Sequence, residues 1–180
     1  VQNALKKLGF EAVITSDIET IKNADKVIFP GVGEASSAMK KLQERGLDAV
    51  IPNLKQPVLG ICLGMQLMCN ASEEGNTKAL GIFDCEVKLF PNSDIVPHMG
   101  WNNVSEMKGK LLENISETDN FYFVHSYYAE VGESTTSVCD YITPFSATLE
   151  KDNFYAAQFH PEKSGDAGFK LLENFLNVRF

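Results

Sequence analysis

Residues 60–64, with the sequence Gly-Ile-Cys-Leu-Gly, follow the apolar run 57–59 and have the spacing of a nucleophile turn. A strand that ends in Gly-x-nucleophile-x-Gly bends sharply into a helix, and its glycines let the backbone pass close to neighbouring atoms. The central side chain, here Cys62, then points into a cleft near the positive end of the helix, which favours the thiolate. A buried structural cysteine on a glycine-rich turn has the same local pattern, so the motif alone leaves both interpretations open.

A cysteine nucleophile needs a base, which is usually a histidine that a carboxylate orients. The chain has histidines at positions 98, 125 and 160, and His160 ends an apolar strand pattern. Pro161 follows and stiffens the turn, and Glu162 can fold back towards the imidazole. A single histidine in such a place is more often a surface loop residue. Its combination with the elbow predicts a catalytic triad of Cys62, His160 and Glu162.

Acyl transfer also needs hydrogen-bond donors for the oxyanion. The backbone N–H of Leu63, directly after the nucleophile, is the first candidate. The second is predicted in residues 30–33, Pro-Gly-Val-Gly, whose glycines allow an N–H of Val32 or Gly33 to turn inward. A plain strand-to-helix turn is the alternative interpretation of this segment.

The segments around these residues alternate between strand and helix patterns, which predicts a parallel sheet with helices on both faces. Both glycine-rich motifs then lie at the carboxyl ends of strands, where α/β proteins place their sites. The predicted strands cover residues 11–14, 26–29, 57–62, 85–90, 101–104, 121–126, 137–142 and 154–160. The predicted helices cover residues 2–8, 34–45, 63–68 and 167–177.

Length and composition predict one compact domain, residues 1–180, with a sizeable core. The net charge is −8 and no Lys/Arg cluster stands out, which argues against nucleic acid or an anionic membrane as the main partner. The four cysteines lack metal-binding spacing and a disulfide framework, so the sequence predicts no metal site and a reducing, cytoplasmic compartment. We also expect no signal peptide and no membrane-spanning segment.

The motifs at 30–33, 60–66 and 159–162 resemble, in order and spacing, those of the class I (triad) glutamine amidotransferases. Segments 97–102, 121–128 and 160–164 are further similar to the glutaminase subunits of imidazole glycerol phosphate synthase, and the match covers essentially the whole chain. The resemblance implies a class I glutamine amidotransferase-like α/β fold, three-layer α/β/α, with a central, mostly parallel sheet and a nucleophile elbow. The family begins with a strand, whereas this chain opens in a helix pattern, so we expect its first strand to be missing.

By this resemblance, Cys62 attacks the side-chain amide of glutamine, His160 transfers protons and Glu162 orients His160, without any cofactor. Water then hydrolyses the γ-glutamyl thioester to glutamate. The residues that match the family's glutamine pocket are Gly33, Gln66, Glu74, Ser126 and Tyr127, with backbone groups expected to contribute at the last two. A solvated helix end is the alternative interpretation of Glu74.

The resemblance also implies a heterodimer with a HisF-type (β/α)8-barrel cyclase subunit. That partner uses the ammonia in histidine biosynthesis to form imidazole glycerol phosphate and an aminoimidazole carboxamide ribotide. Positions that match the family's partner-facing residues are Trp101, Asn102, Tyr122 and Lys163, although Trp101 could equally belong to the core. Glutaminase activity that stays low until the partner holds its ligand is implied too, and a peptide flip at Val32 is the switch we expect.

Three other functions share part of this pattern. A glutaminase of the same family could supply ammonia to another acceptor, such as a sugar, and only its partner surface would differ. A non-catalytic interaction subunit would keep the fold with a dead site, which the intact Cys62, His160 and Glu162 argue against. A stand-alone cysteine peptidase or hydrolase would act without a partner and would be indifferent to glutamine.

Overall fold

The computed structural model describes residues 1–179 of the chain. Its α-helices are α1 (Gln2–Lys7), α2 (Ile18–Asn23), α3 (Ala35–Glu44), α4 (Leu47–Val50), α5 (Leu63–Leu67) and α6 (Gly165–Asn177). Its strands are β1 (Val27–Gly31), β2 (Val58–Cys62), β3 (Ala71–Ser72), β4 (Thr77–Lys78), β5 (Glu86–Leu89), β6 (His98–Asn102), β7 (Phe121–His125), β8 (Tyr127–Ala129), β9 (Thr135–Tyr141), β10 (Thr143–Lys151) and β11 (Phe154–Ala157). Short 3₁₀ turns cover Ile51–Asn53, Glu74–Asn76 and Pro161–Lys163.

The central sheet has five strands in the order β1-β2-β11-β10-β9. Strands β1, β2 and β11 run parallel, whereas β10 and β9 extend the sheet as antiparallel strands. The parallel register pairs Gly31 with Cys62, and Ala157 with Ile61. The carboxyl ends of three parallel strands therefore meet at one edge of the sheet, where the predicted motifs are brought together.

Both faces of the parallel strands are buried, which explains why β2 is a continuous apolar run. Leu59 and Ile61 on β2 pack into one core cluster with residues of α1 and α6. Val58, on the opposite face, packs into a second cluster with residues of α4 and α5. Leu59 and Ile61 are 0% and 1% exposed, and burial of each side chain contributes about 1.5–3 kcal/mol. These layers confirm the predicted three-layer α/β class.

Two smaller sheets lie beside the central one. One has the strand order β4-β3-β5-β8, and the other is the antiparallel pair of β6 with β7. The β6–β7 register pairs His98 with His125 and Trp101 with Tyr122. This hairpin therefore places two histidines at one end and two aromatic side chains at the other.

Helix α3 follows the predicted oxyanion segment and begins at a strong cap. The Glu34 carboxylate accepts hydrogen bonds from the backbone N–H groups of Ser36 at 3.0 Å and Ser37 at 2.9 Å. Hydrogen bonds from the Ser36 and Ser37 side chains and backbones lower the pKa of Glu34 to about 2. The cap holds one end of the 30–33 segment in place.

The predicted strand at residues 11–14 is wrong. Residues 11–14 have no strand partner within the part of the chain that is described, and Val13 and Ile14 are 78% and 81% exposed. The apolar pattern fits a strand, but a strand is stable only when a neighbour completes its ladder of hydrogen bonds. Strand β1 instead forms the edge of the central sheet.

Strand β10, nine residues from Thr143 to Lys151, was not predicted from the sequence. Five consecutive residues of this strand are buried, so it lacks the alternation of a half-buried strand. The hydroxyls of Ser146 and Thr148 are satisfied inside the sheet by Thr135 and by Thr136 and Ser137. Buried polar residues that are paired across strands leave no apolar signal in the sequence.

Candidate active site

The turn at Cys62 has the geometry of a nucleophile elbow. Strand β2 ends at Cys62 and α5 begins at Leu63, while Cys62 itself has φ 54° and ψ −112°. A non-glycine residue in such a conformation costs about 1–3 kcal/mol, which the surrounding structure must offset. A Cβ at Gly64 would collide with the carbonyl oxygen of Phe29, so only glycine allows α5 to pass β1 this closely.

His160 and Glu162 form a buried pair close to Cys62. The imidazole Nδ1 donates to Glu162 Oε1 at 2.8 Å, and the two side chains are 7% and 14% exposed. The interaction with the Cys62 thiol, followed by the hydrogen bond to Glu162, raises the pKa of His160 to about 9. The structure therefore brings the three residues of the predicted triad together, with His160 protonated at neutral pH.

Glu162 stands in the 3₁₀ turn that Pro161 starts. Burial has the largest single effect on the pKa of Glu162 and raises it, but the hydrogen bond to His160, a backbone hydrogen bond and the positive charge of His160 together leave the pKa lowered. Its second oxygen, Oε2, is buried and accepts no hydrogen bond within residues 1–179. His160 is thus the side-chain partner of this carboxylate, which suits an orienting role.

The backbone of His160 is also fixed, through β7 and the start of α6. Its N–H donates to the Tyr122 carbonyl at 2.9 Å, and its carbonyl accepts from the Ser164 hydroxyl at 2.6 Å. The same hydroxyl accepts from the Tyr122 N–H at 2.9 Å, so it makes no capping hydrogen bond to α6. These bonds join the imidazole to the strand that carries Tyr122.

A pocket of about 420 Å³ opens in front of Cys62. Its lining residues are Val32, Gly33, Cys62, Leu63, Gln66, Glu74, Pro97, Val124, His125, Ser126, Tyr127 and His160. The predicted oxyanion donors and the predicted glutamine-binding residues all lie on this pocket. The pocket size suits a single amino acid more than an extended peptide.

The predicted oxyanion segment forms the open rim of the pocket. Val32 is 84% exposed. Gly33 has φ 102°, a backbone conformation that residues other than glycine rarely adopt. Neither residue belongs to a helix or a strand. Leu63, the other predicted donor, is 3% exposed at the start of α5.

Gln66 is only 4% exposed, and its amide nitrogen is fully used inside the protein. Nε2 donates to the Tyr127 carbonyl at 2.9 Å and to Gln158 Oε1 at 2.8 Å. A primary amide has two N–H donors, so only the carbonyl oxygen Oε1 remains for a ligand. Gln66 can therefore act in the pocket as an acceptor.

Glu74 is half-buried beside the pocket rather than lying on a solvated helix end. Its Oε2 accepts from the Ala35 N–H at 2.9 Å, which ties it to the start of α3. Burial is the main cause of the raised pKa of Glu74. The carboxylate is thus placed where it can meet a cationic group in the pocket.

Ser126 and Tyr127 have little acceptor capacity left in their carbonyl groups. The Ser126 carbonyl accepts from the Phe90 N–H at 3.0 Å. The Tyr127 carbonyl accepts from Gln66 and also faces His125 Nδ1 at 2.7 Å, which uses both of its lone pairs. A ligand must therefore contact these two residues through their backbone N–H groups or their side chains.

The four predicted partner-facing residues lie around the β6–β7 hairpin and the turn after His160. Trp101 is 58% exposed, which excludes the alternative that it belongs to the core. Its ring lies 5.9 Å from that of Tyr122, between centroids. Lys163 is exposed and Asn102 is half-exposed. An exposed tryptophan packed on a partly exposed tyrosine is typical of an interface anchor.

Sequence reasoning singled out His98 and His125 but assigned them no role. In the structure His98 Nδ1 and His125 Nε2 are 3.1 Å apart, and both side chains are buried. Burial lowers the pKa of His98 to about 4 and that of His125 to about 3, so both are neutral at pH 7. The pair faces the pocket through His125 and fixes the Tyr127 carbonyl.

Among residues 1–179, no group of three or more His, Cys, Asp or Glu side chains has an arrangement that could hold a metal ion. No helix in the same range combines the length and apolar character needed to cross a bilayer.

A family model for glutamine amidotransferase class-I matches residues 1–178. The imidazole glycerol phosphate synthase subunit HisH of Bacteroides fragilis strain YCH46 is 60% identical over 181 residues, which cover 99% of this chain and 92% of that protein. The protein of the same name from Vibrio parahaemolyticus is 46% identical over 186 residues, covering 99% and 91%.

Solved structures share the fold at low sequence identity. A crystal structure of a glutamine amidotransferase superposes with a TM-score of 0.73 at 20% identity, covering 97% of this chain and 89% of that one. The glutaminase domain of Trypanosoma brucei CTPS with bound acivicin has a TM-score of 0.66 at 16% identity, covering 98% and 85%. These likenesses concern the fold alone.

Proposed function

The chain belongs to the class-I glutamine amidotransferase family, and from that premise we propose that it is the glutaminase subunit of an imidazole glycerol phosphate synthase. It acts as a single domain that hydrolyses glutamine and passes ammonia to a HisF-type cyclase. One observation carries the proposal: Cys62 and His160 line one pocket, with Glu162 bonded to His160, in a chain that is 60% identical to a HisH protein. The free state of all four cysteines fits a reducing, cytoplasmic compartment.

The reaction starts at the Cys62 sulfur, which attacks the side-chain amide carbon of glutamine. A carbon–sulfur bond forms and the amide oxygen becomes an oxyanion. Collapse of this intermediate breaks the carbon–nitrogen bond, and His160 gives its proton to the leaving nitrogen, which departs as ammonia. Water then gives a proton to His160 and attacks the thioester, so that glutamate is released and the Cys62 thiolate returns.

The oxyanion is stabilised by backbone donors on two sides of the pocket. Leu63 supplies one N–H from the start of α5, where the helix dipole also favours negative charge. The second N–H comes from Val32 or Gly33 on the open rim. Loss of one such donor typically lowers kcat about 100- to 1000-fold, so the position of the rim sets the rate.

The hydrogen-bonding groups that remain free in the pocket indicate which residues bind the α-ammonium group of glutamine and which bind its α-carboxylate. Gln66 offers an acceptor and Glu74 offers a carboxylate, so both suit the α-ammonium group. The α-carboxylate is left to donors of Ser126 and Tyr127, because the Tyr127 carbonyl is already occupied. We therefore place the substrate with its α-ammonium group towards Gln66 and its side-chain amide at Cys62.

Exposed Trp101 and partly exposed Asn102 and Tyr122 on the hairpin, with Lys163, form the proposed surface for the cyclase. The Tyr122 carbonyl also accepts the hydrogen bond from the His160 N–H, so this surface lies beside the strand that holds the backbone of His160. A closed interface would keep ammonia from bulk water, where protonation would remove its lone pair. The cyclase could then use it to form imidazole glycerol phosphate and an aminoimidazole carboxamide ribotide.

The direct test is glutamate release from glutamine, with and without a HisF-type barrel loaded with its nucleotide. We expect strong stimulation by the loaded barrel and loss of all activity in Cys62→Ala. Cys139→Ala, the same change at a buried cysteine of the sheet, is the matched control and should keep activity. Slow hydrolysis without stimulation would keep the glutaminase and remove the cyclase as its partner. Equal activity of Cys62→Ala and the wild type would overturn the proposal.

A further inference from the structure

Gln158 is a completely buried amide beside the nucleophile, and the proposed mechanism does not use it. The parallel pairing of β2 with β11 ends with Ile61 opposite Ala157, so the next residues in register are Cys62 and Gln158. Gln158 is 0% exposed, and its Nε2 lies 3.7 Å from Cys62 Sγ. This distance is within the range of a hydrogen bond to sulfur.

The orientation of the Gln158 amide is fixed by its neighbours. The Tyr127 carbonyl can only accept, so the atom of Gln66 that faces it must be the nitrogen. The same nitrogen faces Gln158, whose atom there must be the oxygen. The Gln158 nitrogen therefore points at the sulfur. An exchange of O and N in Gln66 would place two acceptors together at the Tyr127 carbonyl, and an exchange in Gln158 would place two donors together at Gln66.

The two protonation states of Cys62 have different partners. A neutral thiol can donate to the Val124 carbonyl, 4.0 Å away. A thiolate can only accept, and it then has donors in Gln158 and in His160. A hydrogen bond to a charged acceptor is roughly twice as strong as one between neutral groups, so the Gln158 N–H favours the thiolate.

We propose that Gln158 is a catalytic residue that stabilises the Cys62 thiolate, and that Gln66 positions it. The chain of hydrogen bonds runs from the Tyr127 carbonyl through both amides to the sulfur. Because the free oxygen of Gln66 faces the pocket, glutamine that binds there contacts the residue that orients Gln158. The inference rests on the proposed function for its meaning in catalysis, but its test is independent of turnover.

The test is the pH profile of Cys62 alkylation by iodoacetamide, which reports the reactive thiolate without glutamine. Gln158→Met keeps the size of the side chain and removes the N–H donors. We expect its profile to move to higher pH, with alkylation about tenfold slower at pH 6.5. Thr148→Val, at an equally buried polar position of the adjacent strand, is the matched control and should leave the profile in place. An unmoved profile in folded Gln158→Met would overturn the proposal.

A measurement on the unmodified site covers the case in which Gln158→Met does not fold. In protein with ¹⁵N-labelled glutamine side chains, the amide protons of Gln158 should shift as Cys62 ionises, and the shift should be absent in Cys62→Ala. If the Gln158 amide protons respond to pH in the same way in the wild type and in Cys62→Ala, the hydrogen bond is rejected. If wild-type protein instead shows the shift but releases no glutamate even with the loaded barrel, the proposed function fails while the role of Gln158 stands.

Discussion

The two walls of the candidate active site differ in how firmly the protein holds them. The wall made by β2 and β11 carries Cys62, Gln158 and His160, and each of these side chains has a partner inside the protein. The opposite rim carries Val32 and Gly33, which belong to no helix or strand, and the Val32 side chain is 84% exposed.

The contrast separates the chemistry from its regulation. The base is buried, the nucleophile is half-buried at the end of a central strand, and their hydrogen bonds are already formed without a ligand, so they are ready before substrate arrives. The oxyanion donor of the rim has few contacts to keep it in one conformation, and such segments are the ones that switch. We infer that a partner would control this protein at the rim and leave the triad unchanged.

The largest expected effects come from adding one methyl group to each wall. Gly64→Ala should destabilise the protein by about 3 kcal/mol and abolish glutaminase activity, because its Cβ has no room against the Phe29 carbonyl. Gly33→Ala, whose Cβ would meet open space, should cost at most about 2 kcal/mol through its positive φ, yet still lower kcat. Urea unfolding and glutamate release measure the two effects. Equal loss of stability in both variants would contradict the difference between the walls.

The next effect concerns the negative charge of Glu162 behind the wall made by β2 and β11. Glu162→Gln should lower kcat at least about 100-fold, because His160 loses the partner that orients its ring. Glu162 also raises the pKa of His160, which is about 9, so activity that needs protonated His160 falls above pH 9 in the wild type and at lower pH in the variant. The measurement is the pH dependence of kcat, with Glu173→Gln on the exposed face of α6 as control. An alkaline limb that stays in place would contradict the coupling.

A smaller effect is expected at the rim. Val32→Gly removes the β-branched side chain between two glycines, which should make the productive peptide orientation easier to reach. We expect basal glutamine hydrolysis to rise about fivefold, equivalent to about 1 kcal/mol, and stimulation by the loaded barrel to fall. Val13→Gly changes an equally exposed valine away from the site and should do neither. If Val32→Gly matches the wild type in both assays, the rim is not the switch.

The smallest effect is a pH-dependent loss of stability from His98 and His125. Their pKa values in the folded protein, about 4 and about 3, lie below the usual value of 6.5, so unfolding takes up protons in acid. The free energy of unfolding that the two neutral histidines contribute is fully present above pH 6.5. It is lost as the pH falls from 6.5 through the pKa values of the folded protein. Between pH 6.5 and 5, where most carboxyl groups stay ionised, the free energy of unfolding should fall less steeply in His98→Gln than in the wild type. His160 also titrates in the unfolded state in this range, but it does so equally in both proteins and drops out of the comparison. An identical slope in the two proteins would refute the assignment.

Local sequence signals predicted the chemistry because each depends on residues that are neighbours in the chain. The elbow at Cys62 needs its own glycines, and His160 is oriented by a carboxylate two residues away. The motif at residues 30–33 could be placed near Cys62 because strands in a parallel sheet align their carboxyl ends. Residues 11–14 show where this reasoning stops, since an apolar pattern forms a strand only beside a partner.

Only the tertiary structure decided which side chains complete the site. In the sequence, Gln158 is one more residue of a predicted strand. Only the register of β11 with β2 places it beside Cys62. His98 and His125 are 27 residues apart and become a neutral pair only through the β6–β7 hairpin. The chain by itself specifies which groups can react, because reactivity follows from residue type and local turns. Long-range pairing specifies the partners that orient these groups and exclude water, because those contacts join segments that are distant in sequence.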